Sequence, residues 1–220
     1  MALHRSFSSL LVALCLWCCF GNSAIAAEIA VTVRDSRGAP VRDAVIYALP
    51  VTGKAPPARR QKVEVQQRDQ QFLPYVSVVQ TGSAVLFPNN DDVKHHVYSF
   101  SPAKKFELPL YAGTPAEPIV FDKPGVVTLG CNIHDWMIAY VLVVPTPWFA
   151  VTGADGAAQL RNLPAGAYDI EAWQPRLRNQ AQPPRQRVNL PAQSSTAFQL
   201  DLKPEVRVRR SPSDTGDGYR

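Results

Sequence analysis

The sequence predicts an all-β protein built from sandwich-like units, and three observations carry that expectation. Almost no stretch repeats its apolar residues at helical spacing. Short runs rich in Val, Ile, Leu and Tyr recur instead, each bounded by Gly, Pro, Asn or Asp. Those turn residues are plentiful, with 20 prolines and 12 glycines in 220 residues.

Taken in chain order, the first element is not a strand. The opening MALHRSFSSLLVALCLWCCFGNSAIAAE joins a short basic start, an apolar run and small residues with Ala24 and Ala26 two apart. That pattern reads as a signal peptide, residues 1–26, cleaved after Ala26. Trp17 and Cys18 stand where a lipid-attachment motif needs small residues, and no later stretch is apolar for long enough to span a bilayer. The expected location is the periplasm, without stable membrane insertion.

Candidate strands follow at 29–34, 44–49, 63–67, 76–78, 84–87, 96–100, 126–129 and 138–144, then at 158–160, 167–173, 187–190 and 197–202. The segment 50–60 reads as a linker or exposed loop, and the tail 204–220 lacks a core-forming pattern. The stretch TGADGAAQLRNLPAGAYDIEAW has turns at Asp155-Gly156 and at Pro164–Gly166, with strands between and after them. It resembles the later part of the small carboxypeptidase-regulatory or transthyretin-like sandwich, and VTVRDSRGAPVRDAV resembles its opening strands. The expected division is 27–60 for the N-terminal strands, 61–146 for a central domain and 147–203 for a second β domain. Two arrangements stay open: the central segment inserted into that second sandwich, or consecutive β segments packed together.

Charge excludes little. Lys and Arg number 23 against 18 Asp and Glu, and the arginines are spread rather than gathered into a stripe. Nothing supports nucleic-acid binding.

The ligand inventory is more telling. Beyond residue 26, Cys131 is the only cysteine, Met137 the only methionine, and His95, His96 and His134 the only histidines. An oxidising compartment favours disulfides, yet one cysteine cannot form one internally. Cys131, His134 and Met137 are three residues apart in GVVTLGCNIHDWMIAYVLVV, between two apolar strand candidates. The alternation Val127, Leu129, Cys131 brings the thiol in from the core side. One imidazole from the distant HH pair at 95–96 completes two nitrogens and one sulfur, with a thioether as weak axial donor. Thiolate and thioether are soft ligands, and His2Cys with a long axial Met suits one mononuclear copper ion. Structural zinc wants four firm ligands and gains little from Met.

The segments QFLPYVSVVQTGSAVLFPNND and CNIHDWM resemble the early strands and the ligand loop of cupredoxins, the plastocyanin and amicyanin superfamily. The chain also resembles periplasmic methylamine-utilisation proteins. The resemblance implies a Greek-key β-sandwich over 61–146 and selects His95 as the first metal histidine, beside Cys131, His134 and Met137. Cupredoxins usually carry Asn after that histidine, whereas His96 stands here; its backbone N–H is placed to donate to the Cys131 sulfur. The activity implied is electron transport by a type 1 (blue) copper protein, not an enzyme, with a cytochrome c or a dehydrogenase as partner. A copper chaperone or store, and a structural or binding β module, are the alternatives. Asn89, Asp91 and Asp92 read as a turn, and Trp136 as a cover for the site or a packing residue.

Overall fold

The computed structural model describes residues 27–57, 62–115 and 117–205. The expected signal segment and all but the first residues of the expected tail lie outside the described residues.

Seventeen strands run through the described residues. They are β1 Ala27–Asp35, β2 Val45–Pro50, β3 Lys62–Glu64, β4 Gln66–Arg68, β5 Gln71–Leu73, β6 Val76–Gln80, β7 Ser83–Leu86, β8 His95–Ser101 and β9 Lys104–Tyr111. After them come β10 Ile119–Phe121, β11 Gly125–Cys131, β12 His134–Val144, β13 Phe149–Val151, β14 Ala157–Leu163, β15 Gly166–Trp173, β16 Arg185–Leu190 and β17 Ser195–Leu200. The sequence pattern missed β5, β9, β10 and β13. Three of these are only three residues long, too short to alternate visibly. The fourth, β9, carries two lysines, a glutamate and Pro109, and it lies at the edge of its sheet, where a missing N–H costs no ladder bond.

The central strands form a five-stranded sheet in the order β6-β12-β11-β8-β9 and a three-stranded sheet β10-β7-β3. Their apolar side chains, among them Val85, Phe87, Val97, Phe121, Leu129 and Val141, share one core. Strands from both ends of the chain form the second pair of sheets, β14-β1-β17 and β13-β2-β15-β16. Strand β1 shows why: in AEIAVTVRD every second residue is apolar, so Ile29, Val31 and Val33 are buried while their neighbours face water. β1 runs antiparallel to β14 and parallel to β17, and β2 pairs with both β13 and β15. The resulting core gathers Ile29 and Ile46 with Leu160, Ile170, Val188 and Phe198. The protein is thus all-β, with a central pair of sheets and a second β unit.

A third apolar cluster joins the two. Val45, Tyr47 and Trp173 pack against Val76, Leu142 and Val144. The second unit therefore covers the β6–β12 side of the five-stranded sheet. On the same sheet Tyr98 lies over Gly130, where an added Cβ would come 2.7 Å from its ring.

Candidate metal centre

The site is built around the β11–β12 hairpin. From Gly125↔Val143 to Gly130↔Ile138 the two strands pair in one regular register. Continued by one step, that register would set Cys131 opposite Met137. Instead the ladder slips, and Cys131 pairs with His134 across the two-residue turn Asn132-Ile133. The residues between His134 and Ile138 are taken up as a bulge, which re-aims side chains at a strand end. The sequence placed Cys131, His134 and Met137 together in a loop; the structure ends β11 on Cys131 and holds His134 and Met137 within β12. Met137 is 2% exposed and shares the core cluster of Cys131.

The first residue of β8 completes the group. His95 is fully buried and turns inward, whereas His96 faces the other way. His96 Nε2 lies 3.0 Å from the Glu107 carboxylate on β9. Alternation along a strand allows only one of two adjacent side chains to reach the core.

His95, Cys131 and His134 bring three candidate ligand atoms within 4.8 Å of one another. The Cys131 sulfur is 3.8 Å from His95 Nδ1 and 3.8 Å from His134 Nδ1. With metal–sulfur and metal–imidazole lengths of about 2.3 and 2.0–2.1 Å, borrowed from zinc sites, ligands about 120° apart would hold S and N about 3.8 Å from each other. The donor set fits a trigonal His2Cys ion.

Supporting contacts hold the set open for metal. Burial acts to protonate Cys131, but the hydrogen bond to His95 and the backbone N–H groups of His96 and Ile133 outweigh it, holding the thiol below its ordinary value. Burial likewise opposes charge on His95, and the Cys131 sulfur with the Asp91 carboxylate outweighs it in the other direction. His95 Nε2 stands 2.7 Å from Asp91 Oδ2. With Nε2–H donating to that carboxylate, Nδ1, which faces the sulfur, is the nitrogen left for a metal once its proton is lost, the arrangement by which a carboxylate orients a metal-binding imidazole.

Asp91 is itself fixed. The β4–β5 hairpin turns on Asp69 and Gln70, both with φ in the left-handed region (54° and 55°) as a two-residue turn of this kind requires. Their backbone N–H groups donate to the Asp91 carboxylate at 2.6 and 3.0 Å. The carbonyl of Gln70 accepts the Trp136 indole N–H at 3.2 Å, and the Trp136 ring lies 5.1 Å from that of His134. One hairpin tip thus braces both histidines. Beneath it Asn89 ties the chain together, donating to the carbonyls of Val93 and Tyr111 at 2.9 Å each.

Asp91, which the sequence pattern presents as part of a turn, is the carboxylate that contacts the candidate metal histidine His95. The available signal was a carboxylate four residues before a candidate metal histidine. Asp91→Ala should lower copper affinity by about 10–100-fold while leaving the circular dichroism of the sheets unchanged; competition with a chelator of known affinity measures it.

No family model matches the chain, and no curated protein does. Among solved structures, the chain is similar to a copper-containing nitrite reductase from Thermus scotoductus SA-01, with 26% identity over 43% of this chain and a TM-score of 0.36. The chain spans only 25% of that enzyme's length. It is also similar to a purple cupredoxin from Nitrosopumilus maritimus, with 22% identity over 37% of this chain and 97% of that one, TM-score 0.32. The Cu(I) form of a mutant amicyanin aligns with 18% identity over 44% of this chain and 98% of that one, TM-score 0.34.

Proposed function

We propose that the protein is a type 1 copper protein that carries single electrons between redox partners in the periplasm. The observation that carries this reading is the buried Cys131 sulfur equidistant, at 3.8 Å, from one nitrogen of His95 and one of His134. Copper bound there would supply a one-electron couple, which thiolate and imidazole together serve in both oxidation states. His95, Cys131 and His134 hold the ion, and Met137, buried in the same cluster, is the axial donor. Three strong donors and a thioether supplied by the protein would take up the positions around the ion, which supports a carrier over an enzyme. His134, partly exposed beside Trp136, is the edge through which a cytochrome c or a dehydrogenase would exchange the electron.

Copper(II) added to the mature protein should produce an intense visible sulfur-to-copper charge-transfer band. A colourless, readily exchanged Cu(II) form would instead support copper delivery or storage by the same residues. Met137→Leu should retain the band and shift the reduction potential measured by voltammetry. An unchanged potential would remove Met137 from the ligand set.

A further inference from the structure

A cavity of about 1150 Å³ opens between the second β unit and the β5–β12 face of the central one. Met137 and Trp136 from the neighbourhood of the metal site line it, whereas His95, Cys131 and His134 do not. On the central unit's side the cavity is lined by the apolar residues Phe72, Tyr75, Trp136, Met137 and Ile138. Trp136 is held there by its bond to the Gln70 carbonyl, and Phe72 is anchored in the central core, so this wall is pre-formed rather than assembled on contact. Ile138 is 40% exposed, a large apolar side chain turned to the cavity rather than to a core.

The facing wall is polar. It offers Arg42 and Arg176 together with Asp43 and Glu205, two cations against two carboxylates. Arg42 and Asp43 already lie 3.7 Å apart. The cavity therefore carries no net formal charge from these four groups and has no reason to select a strongly charged ligand. Gln174 adds a neutral amide, set in place because its Oε1 accepts the Arg176 backbone N–H at 2.6 Å. An aromatic wall with a few fixed polar groups opposite, at the junction of two folded units, is a common build of a small-molecule site.

We propose that this cleft binds an uncharged planar aromatic molecule bearing hydroxyl or carbonyl oxygens, of the phenol and quinone class. The ring system stacks on Trp136 and Tyr75, where offset or edge contacts between aromatic faces are favourable. Its oxygens meet the arginine and glutamine donors opposite. Binding requires no metal, so it stands or falls separately from the copper assignment.

The test uses the metal-free protein and 2-naphthol, a hydroxyaromatic that does not alkylate the free Cys131 thiol as a quinone would. Isothermal titration should show saturable one-to-one binding, and 2-naphthoate, the charged analogue, should bind more weakly. Ile138→Arg should weaken 2-naphthol binding by at least about tenfold while copper uptake stays as in the parent protein. Arg176→Ala, at a half-buried position outside the apolar cores, should also weaken it. Absence of saturable heat with 2-naphthol overturns the proposal, and so does tighter binding of 2-naphthoate or undiminished binding by both variants. A protein that binds 2-naphthol but gives no charge-transfer band would keep the cleft assignment and lose the electron-carrier reading.

Discussion

Cys131→Ser should abolish the visible charge-transfer band and weaken copper binding by more than about 100-fold, the upper range for loss of a merely supporting partner. The substitution is nearly isosteric, yet it exchanges a soft thiolate for a neutral hydroxyl. Every contact that lowers the Cys131 pKa, from His95 and from the N–H groups of His96 and Ile133, favours the anion. A hydroxyl cannot use that environment, because its own ionisation lies far outside the accessible range. Thermal unfolding gives a second reading. Free copper at 100 times its dissociation constant should stabilise the parent protein by about 2.7 kcal/mol, and should leave the serine variant's transition in place. Retention of the band in Cys131→Ser would sink the type 1 assignment outright.

Trp173→Ala should cost about 3–5 kcal/mol, the range for truncating a fully buried large aromatic. Trp173 is 2% exposed and sits in the cluster that joins the two β units. Its ring stands edge-on to Tyr140, with centroids 6.2 Å apart, which adds to the apolar area lost. The indole N–H has no hydrogen-bond partner among the described residues, so truncation orphans no protein acceptor and the cost is one of lost packing. Urea unfolding measures it. Because Cys131 and Met137 belong to a different apolar cluster, the copper spectrum below the transition should match that of the parent protein. A loss under about 1 kcal/mol would mean that the two units do not share a stabilising core.

Much of the fold was legible because strand alternation is a local signal. The buried faces of β1, β11 and β17 can be read from every second residue. Strand β9 was not legible, since an edge strand half in water needs no apolar alternation and tolerates Pro109. The membership of β1 and β2 in sheets with strands more than a hundred residues later was open at the sequence level. Two local patterns resembling the same sandwich do not reveal whether they pair, and only the ladders β1–β14, β1–β17 and β2–β15 answer it. Asp91 was invisible for a related reason. An acidic residue in a turn is ordinarily a solvated one, and its acceptor role depends on the His95 ring, 2.7 Å away, and on two N–H groups from a separate hairpin.

The donor chemistry of the candidate metal centre is legible in the sequence. One cysteine, one methionine and three histidines beyond residue 26 leave a single soft-ligand inventory, and ligand softness is a property of residue type that folding does not alter. The geometry belongs to the tertiary structure. Whether His95 or His96 faces inward depends on which side of β8 meets the core, and the slip in the β11–β12 register is what sets His134, rather than Met137, beside Cys131. Both follow from contacts between strands far apart in the chain, where packing of opposed faces and closure of backbone hydrogen bonds select one arrangement among several that the local pattern permits equally.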